Sequence, residues 1–326
     1  MRGAHELAVC CQRHCGRAHS SSYAGAFRAS KLHEVALDWS AMNRILVTGA
    51  TGNVGRHVVE QLTLDGASFR AMARDPAAAH LPADVEVVRG DLTAPETLDS
   101  CLQDMDTVFL VWVAPPEAIE GALERIARHA RRIVYLTAPL KTPHPFFQQP
   151  NRSRAIAERV ERLIEQSGLE WTFVRAGMFA GNARHFWGSQ IRAGGVIRWP
   201  YLNAPTAPTD ERDIATIVVR TLCDAGHAGS EYVVTGPQSL TQAEQIHTIG
   251  RALGRLLRVE EITPDEAQSE LLPVLGSAVF INMLLDAWRA ALGQPAFVSS
   301  SFAELTGRAS RPFLEWATDY APEFRA

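Results

Sequence analysis

The sequence predicts an α/β protein built on a doubly wound parallel sheet, and three observations carry that prediction. First, Ile45-Leu46-Val47-Thr48-Gly49-Ala50-Thr51-Gly52-Asn53-Val54-Gly55 runs an apolar segment into three glycines spaced three apart. Helical sequence follows at once in His57-Val58-Val59-Glu60-Gln61-Leu62. Second, apolar runs of strand length alternate with amphipathic helical segments as far as about residue 180, the pattern of a parallel sheet covered by helices. Third, 326 residues at 46% hydrophobic content are enough for one large core plus a smaller one.

The glycine stretch reads as a buried strand, a tight turn and a helix start. Gly49 lets the chain turn, Gly52 removes a side chain where a pyrophosphate must approach, and Gly55 lets the helix pack against its strand. The helix N-terminus then offers N–H groups and a positive dipole end to phosphates. A glycine turn alone is weak evidence, but strand, glycines and helix in this order define a dinucleotide site. Thr51, Asn53 and Val54 belong to the same loop.

Composition excludes several classes. The net charge is −4 with 21% charged residues, so no basic nucleic-acid surface is expected. No apolar run reaches membrane-spanning length, and a soluble, cytoplasmic protein is the expectation. The cysteines, Cys10, Cys11, Cys15, Cys101 and Cys223, form no disulfide framework. Residues 1–41 read as an extension rich in Arg, His, Ser and Ala, with only a faint likeness to a transit peptide. A disordered tail or an upstream start of translation is the expectation. Cys10, Cys11, His14 and Cys15 lack the second ligand pair of a zinc site, so no metal is expected.

From Met42 the elements follow in order. Arg44–Thr48 is the first strand and Asn53–Leu64 the first helix, ended by Asp65-Gly66. Phe69–Ala73 is the second strand, with Arg74-Asp75-Pro76 at its exit, where an adenosine ribose would sit. Arg74 suits a 2′-phosphate and points to NADP. NAD is the alternative, with Asp75 taking the ribose hydroxyls; an exposed arginine capping a turn is the plain structural reading. Val85–Arg89 is the third strand. Asp91 and Leu92 follow, where Asp91 could meet the adenine or cap the helix that begins near Pro95.

Thr107–Val113 is a fully apolar fourth strand that delivers Val111, Trp112 and Val113 to the ligand edge. A helix runs from near Pro116 to about Ala130. Arg132–Thr137 is the fifth strand, Asn151–Ser167 a helix, and Trp171–Arg175 the sixth strand. Ligands of such sheets lie beyond the carboxyl ends of the strands.

Beyond about Gly181 the alternation stops. A short strand is expected within Gly194–Pro200, a helix over Ile214–Cys223 and a strand over Glu231–Thr235. Thr241 and Glu244 form a capping box. Helical periods recur over Pro264–Leu272, Ala278–Leu292, Phe302–Thr306 and Arg311–Tyr320. The expected division is a dinucleotide-binding core over residues 42–180 and a smaller, mainly helical substrate portion over 181–326, interleaved with the core.

These motifs resemble the NmrA-like group of atypical short-chain dehydrogenase/reductases. The resemblance is carried by Thr48–Gly55, Ala73-Arg74-Asp75-Pro76, Gly90-Asp91-Leu92, Glu161–Gly168 with Trp171–Arg175, Asp213-Ile214-Ala215, and the tail from Glu304 to Ala317. It implies a Rossmann-type fold and an NADPH-dependent reductase of quinones or other small molecules; the glycine motif with the aromatic segment beyond strand four points to a small apolar or aromatic carbonyl, quinone or imine-like substrate. The group also includes non-catalytic NADP(H) sensors that act on a protein partner, which is the alternative.

The chain departs from the superfamily's Tyr/Lys pair. Its only lysines are Lys31 and Lys141, and Asn151–Ser167 holds neither residue type. Thr137, Lys141 and His144 remain as candidate catalytic groups. Thr137 could bond a substrate oxygen or the cofactor, or simply end its strand. Lys141 and His144 are equally read as loop residues. Phe147, Met178, Phe179, Asn182, Trp187 and Tyr201 are the expected pocket walls, each also readable as core. A small-molecule substrate and a monomer or homodimer are expected, with neither nucleic acid nor membrane as partner.

Overall fold

The computed structural model describes residues 44–325. The expected extension over residues 1–41, with Cys10, Cys11, His14 and Cys15, lies outside them. In chain order come β1 (Ile45–Val47), α1 (Gly55–Leu64), β2 (Phe69–Ala73), β3 (Val87–Arg89), α2 (Leu98–Leu102), β4 (Thr107–Val111), α3 (Ile119–His129) and β5 (Arg132–Thr137). Then follow α4 (Pro145–Gln148), α5 (Arg152–Gln166), β6 (Glu170–Ala176), α6 (Asn182–Ala193), β7 (Ile197–Trp199), β8 (Pro205–Thr206), α7 (Glu211–Cys223) and β9 (Ser230–Val234). The chain ends with β10 (Leu240–Thr241), α8 (Gln242–Leu253), β11 (Val259–Glu261), α9 (Pro264–Leu275), α10 (Ala278–Ala291), α11 (Ser301–Thr306) and α12 (Phe313–Asp319).

Seven strands form one parallel sheet in the order β3-β2-β1-β4-β5-β6-β9. The order reverses between β1 and β4, so the strand ends part there and a crevice opens. Period-two alternation sorts the apolar strand residues onto two faces. Ile45, Val47, Phe109, Val134 and Val174 pack with α1 and α7, while Leu46, Val108, Leu110, Ile133 and Phe173 pack with α2, α3 and α5. Because β9 extends the sheet beyond β6, and α7 lies against α1, the later chain returns to the first core.

A third cluster is built from α6, β7, α8, α9, α10 and α12 around Trp187, Trp199, Trp288 and Trp316. α8 and α9 both start with complete capping boxes, Thr241 with Glu244 and Thr263 with Glu266. Boundaries shift by a few residues at several elements, and two differences bear on the site. β4 stops at Val111, because Trp112 and Val113 turn out of the ladder at the crevice and Val113 is exposed. Residues 182–193, for which no element was expected, form α6, whose helical face Ala183, Phe186, Trp187 and Ile191 is buried.

Candidate active site

The crevice at the β1/β4 reversal is a cleft of about 690 Å³. One wall is the β1–α1 turn. Gly49 has φ 61°, where an L side chain is strained, and an added Cβ would meet Val111 Cβ at 3.2 Å. A Cβ on Gly55 would overlap the carbonyl oxygen of Gly49, so α1 starts this close to the turn only with glycine. Val54 heads α1 without a side-chain cap, which leaves the first-turn N–H groups unclaimed by any side chain. The Thr48 hydroxyl accepts from Val111 N at 2.9 Å and ties the end of β1 to that of β4.

No residue lining this cleft carries a formal charge. A glycine cradle that a Cβ would fill, an uncapped helix N-terminus and the absence of a lining carboxylate all fit the diphosphate of a nicotinamide dinucleotide. Arg56, in the first turn, bonds Asn53 Oδ1 at 3.1 Å and adds a cation beside the cradle.

Under the far half of the cleft lies a buried ionic network. The side chains of Arg175 on β6 and Glu161 on α5 are 1% and 6% exposed. Their pairing is bidentate, Nη1–Oε1 and Nη2–Oε2 both 2.8 Å. Arg175 Nε also bonds Glu231 on β9 at 2.9 Å, and Nη1 donates to the carbonyl of Ala138 at 3.1 Å. Burial works against the Arg175 cation, but its bonds to Glu161 and Glu231 outweigh that and hold it more firmly protonated than usual. For Glu231, burial pushes the carboxyl up, yet bonds from Lys141 and Arg175 win and leave it below the usual carboxylate range. The network thus clamps α5, β6 and β9 to the segment leaving β5, whose Thr137 and Ala138 line the cleft.

Of the expected cofactor residues, Gly49, Gly52, Asn53, Val54, Gly55, Val111, Trp112, Val113 and Thr137 all line the cleft. Thr51 lies exposed in the glycine loop. Arg74 is exposed just past β2 and has no ion-pair partner among the described residues. Asp75 uses its carboxylate on Ala77 N at 3.1 Å, and Asp91 uses its own on Thr93 N at 2.9 Å; both hold local turns. Leu92 is buried in the core.

The three candidate catalytic residues are not gathered in one place. Thr137 donates its hydroxyl to Glu161 Oε1 at 2.8 Å, so toward the cleft its oxygen is an acceptor. Lys141 is exposed and pairs with Glu231 at 2.5 Å, outside the cleft lining. His144 is buried, with Nδ1 accepting from Phe146 N at 3.2 Å and Nε2 placed 2.9 Å from the Pro295 carbonyl. It joins α4 to the chain after α10. Tyr135 also lines the cleft, but burial raises its phenol well above the usual value and makes it a poor acid.

A second cavity of about 270 Å³ adjoins the first and shares Ala138, Ser153, Ala176, Gly177, Met178 and Asn182 with it. Phe147 lines this pocket, Met178 and Asn182 line both, and Phe179 lines the cleft. Trp187 is instead sealed in the C-terminal core against Phe186 and Trp199. Tyr201, at φ 50°, borders a separate hollow with Asp265 and Arg289.

Sequence reasoning missed the opposite wall, Phe280, Met283, Leu284 and Ala287 of α10. Their i, i+3, i+4, i+7 spacing was the available signal. It also missed Ser153, Ile156 and Ala157, the face that α5 turns to the cleft. Asn151 starts that helix by accepting from Arg154 N at 2.8 Å.

Fold and cleft together define a Rossmann-type dinucleotide-binding protein. A family model described as NAD(P)H-binding matches residues 49–195. The chain is 36% identical to a (4-alkanoyl-5-oxo-2,5-dihydrofuran-3-yl)methyl phosphate reductase from Streptomyces griseus, over 86% of this chain and 99% of that one. It is 32% identical to an NAD(P)H azoreductase from Xenophilus azovorans, again over 86% and 99%. The NADPH complex of a quinone oxidoreductase from Escherichia coli shares the fold, with TM-score 0.72 and 21% identity over 84% of this chain and 99% of that one. The chain belongs to the NAD(P)H-binding, NmrA-like group of atypical short-chain dehydrogenase/reductases. Both of these relatives above 30% identity are named as reductases, one of them as an NAD(P)H azoreductase, and no helix among the described residues is long and apolar enough to cross a membrane.

Proposed function

We propose that this protein is an NADPH-dependent reductase that delivers hydride to a small apolar or aromatic acceptor, a carbonyl, quinone or imine-like group. The observation that carries the reading is the join between the two cavities. A dinucleotide cleft opens at its far end, through shared walls, into a pocket lined chiefly by apolar side chains. The relatives named for a dihydrofuranyl phosphate and for azo compounds are reductases, which supports the same class.

A bound NADPH supplies the hydride. The glycine cradle and the first turn of α1 would hold its diphosphate, and Arg74 a 2′-phosphate. Ala138, Gly177 and Met178 present backbone and apolar surface on both sides of the join. They limit the acceptor's approach and exclude water, which is the main demand of hydride transfer on a protein.

The α5 face at the join is Ser153, Ile156 and Ala157, with no tyrosine or lysine. The proton that completes reduction therefore comes from solvent, admitted at the exposed edge beside Ser153. Acceptors that become stabilised, weakly basic anions on receiving hydride, as quinones do, fit such a site best, because they need no positioned acid.

The test is steady-state oxidation of NADPH against a panel of quinones, azo compounds and imines. Turnover with at least one electron-poor acceptor is expected. Tight NADPH binding with no turnover across the panel would overturn the reductase reading in favour of a nucleotide sensor.

A further inference from the structure

The pocket beside the cleft holds one charged side chain. Among the residues lining either cavity, Arg154 alone carries a formal charge. Its guanidinium is held in place: Nη1 donates to the Phe147 carbonyl at 2.9 Å, and Nε meets Glu158 Oε1 at 2.9 Å. Nη2 donates no hydrogen bond among the described residues. The side chain is 22% exposed, so the pocket half-encloses it. Phe280, Met283 and Leu284, apolar residues of α10, line the same pocket.

Resting on the reductase reading, we propose that the acceptor is an apolar ring compound bearing an anionic oxyacid group, a carboxylate, sulfonate or phosphate, and that Arg154 is the specificity residue that holds it. A neutral ligand filling this pocket would strip water from Nη2 and return no acceptor. An oxyacid returns two oxygens to a guanidinium fork already fixed in orientation. The ring lies against α10. Ser153, the residue before Arg154, lines both cavities, so an anion at Arg154 sets the ring beside the join where hydride arrives.

The probes are naphthoquinone sulfonate and its unsulfonated parent. Calorimetric titration into the full chain saturated with NADP+ reads binding with no hydride to transfer. Roughly tenfold or tighter binding of the sulfonate is expected. Arg154→Gln should abolish that preference, and Arg154→Lys should restore part of it. Glu158→Gln, which frees Nε, should tighten the sulfonate alone.

Equal affinities for the two probes, or a preference that survives Arg154→Gln, would overturn the proposal. So would failure of both probes to bind. Oxidation of NADPH by both quinones without any Arg154 dependence would sink the anion site and leave the reductase reading standing. An Arg154-dependent preference with no oxidation of NADPH would do the reverse.

Discussion

Replacing Glu161 by glutamine leaves the Arg175 cation at 1% exposure with an amide where its bidentate carboxylate stood. Removing one partner of a buried pair costs about 3–5 kcal/mol, because the remaining charge stays desolvated. Glu231 still meets Arg175 Nε at 2.9 Å and Ala138 still accepts from Nη1, so the loss belongs near the lower end, about 3 kcal/mol. At roughly 2–4 °C per kcal/mol for a chain of this size, the midpoint of thermal unfolding should fall by about 6–12 °C. Urea unfolding should show the same loss through its midpoint, with the slope unchanged. The double variant Glu161→Leu/Arg175→Met removes both charges and should recover most of that stability. Glu231, 27% exposed and still bonded to Lys141, tolerates the change. A drop below about 2 °C for the single variant, or a double variant less stable than the single, would refute the claim that this pair is desolvated and mutually dependent.

Gly55→Ala drives a methyl into the Gly49 carbonyl, so NADPH affinity should fall at least roughly tenfold in calorimetry, together with a loss of about 1–3 kcal/mol in urea unfolding. Arg74→Ala should weaken NADPH roughly tenfold or more while NADH titrates as in the parent protein; equal losses for both would remove the 2′-phosphate role. For Glu231 the folded carboxyl titrates below its unfolded value. Its stabilisation is therefore full above the ordinary glutamate value of about 4.3 and is lost as pH falls through the depressed folded value. Glu231→Gln should accordingly cost stability at neutral pH and progressively less in acid, read from urea midpoints across a pH series.

Much of the fold was legible because two local signals agreed. Ile45–Val47 is apolar on both faces, as a strand covered by helices must be, and the glycines that follow fix a turn in which any other residue at Gly49 would be strained. The capping box at Thr241 marks a helix start for the same reason: its hydrogen bonds are local.

What escaped reading depends on direction rather than on residue type. Asn182 and Trp187 are neighbours in sequence, yet five helical positions rotate a side chain by about 140° relative to the first. Asn182 therefore reaches the cleft, while Trp187 faces the C-terminal core. α6 also carries Gly188 in its middle and no side-chain cap, so its helical signal was weak. Lys141 is drawn off by Glu231, a partner 90 residues away that no local pattern reveals. The Glu161–Arg175–Glu231 clamp is hidden for the same reason, since it exists only once β5, β6 and β9 lie side by side.

The measurement that bears most directly on the whole account is calorimetric titration of the full chain with NADPH and, separately, NADH. One NADPH per chain, bound more tightly than NADH, is the predicted result. A chain that takes up neither nucleotide, although correctly folded, would contradict the claim that the β1–α1 cradle is a dinucleotide site.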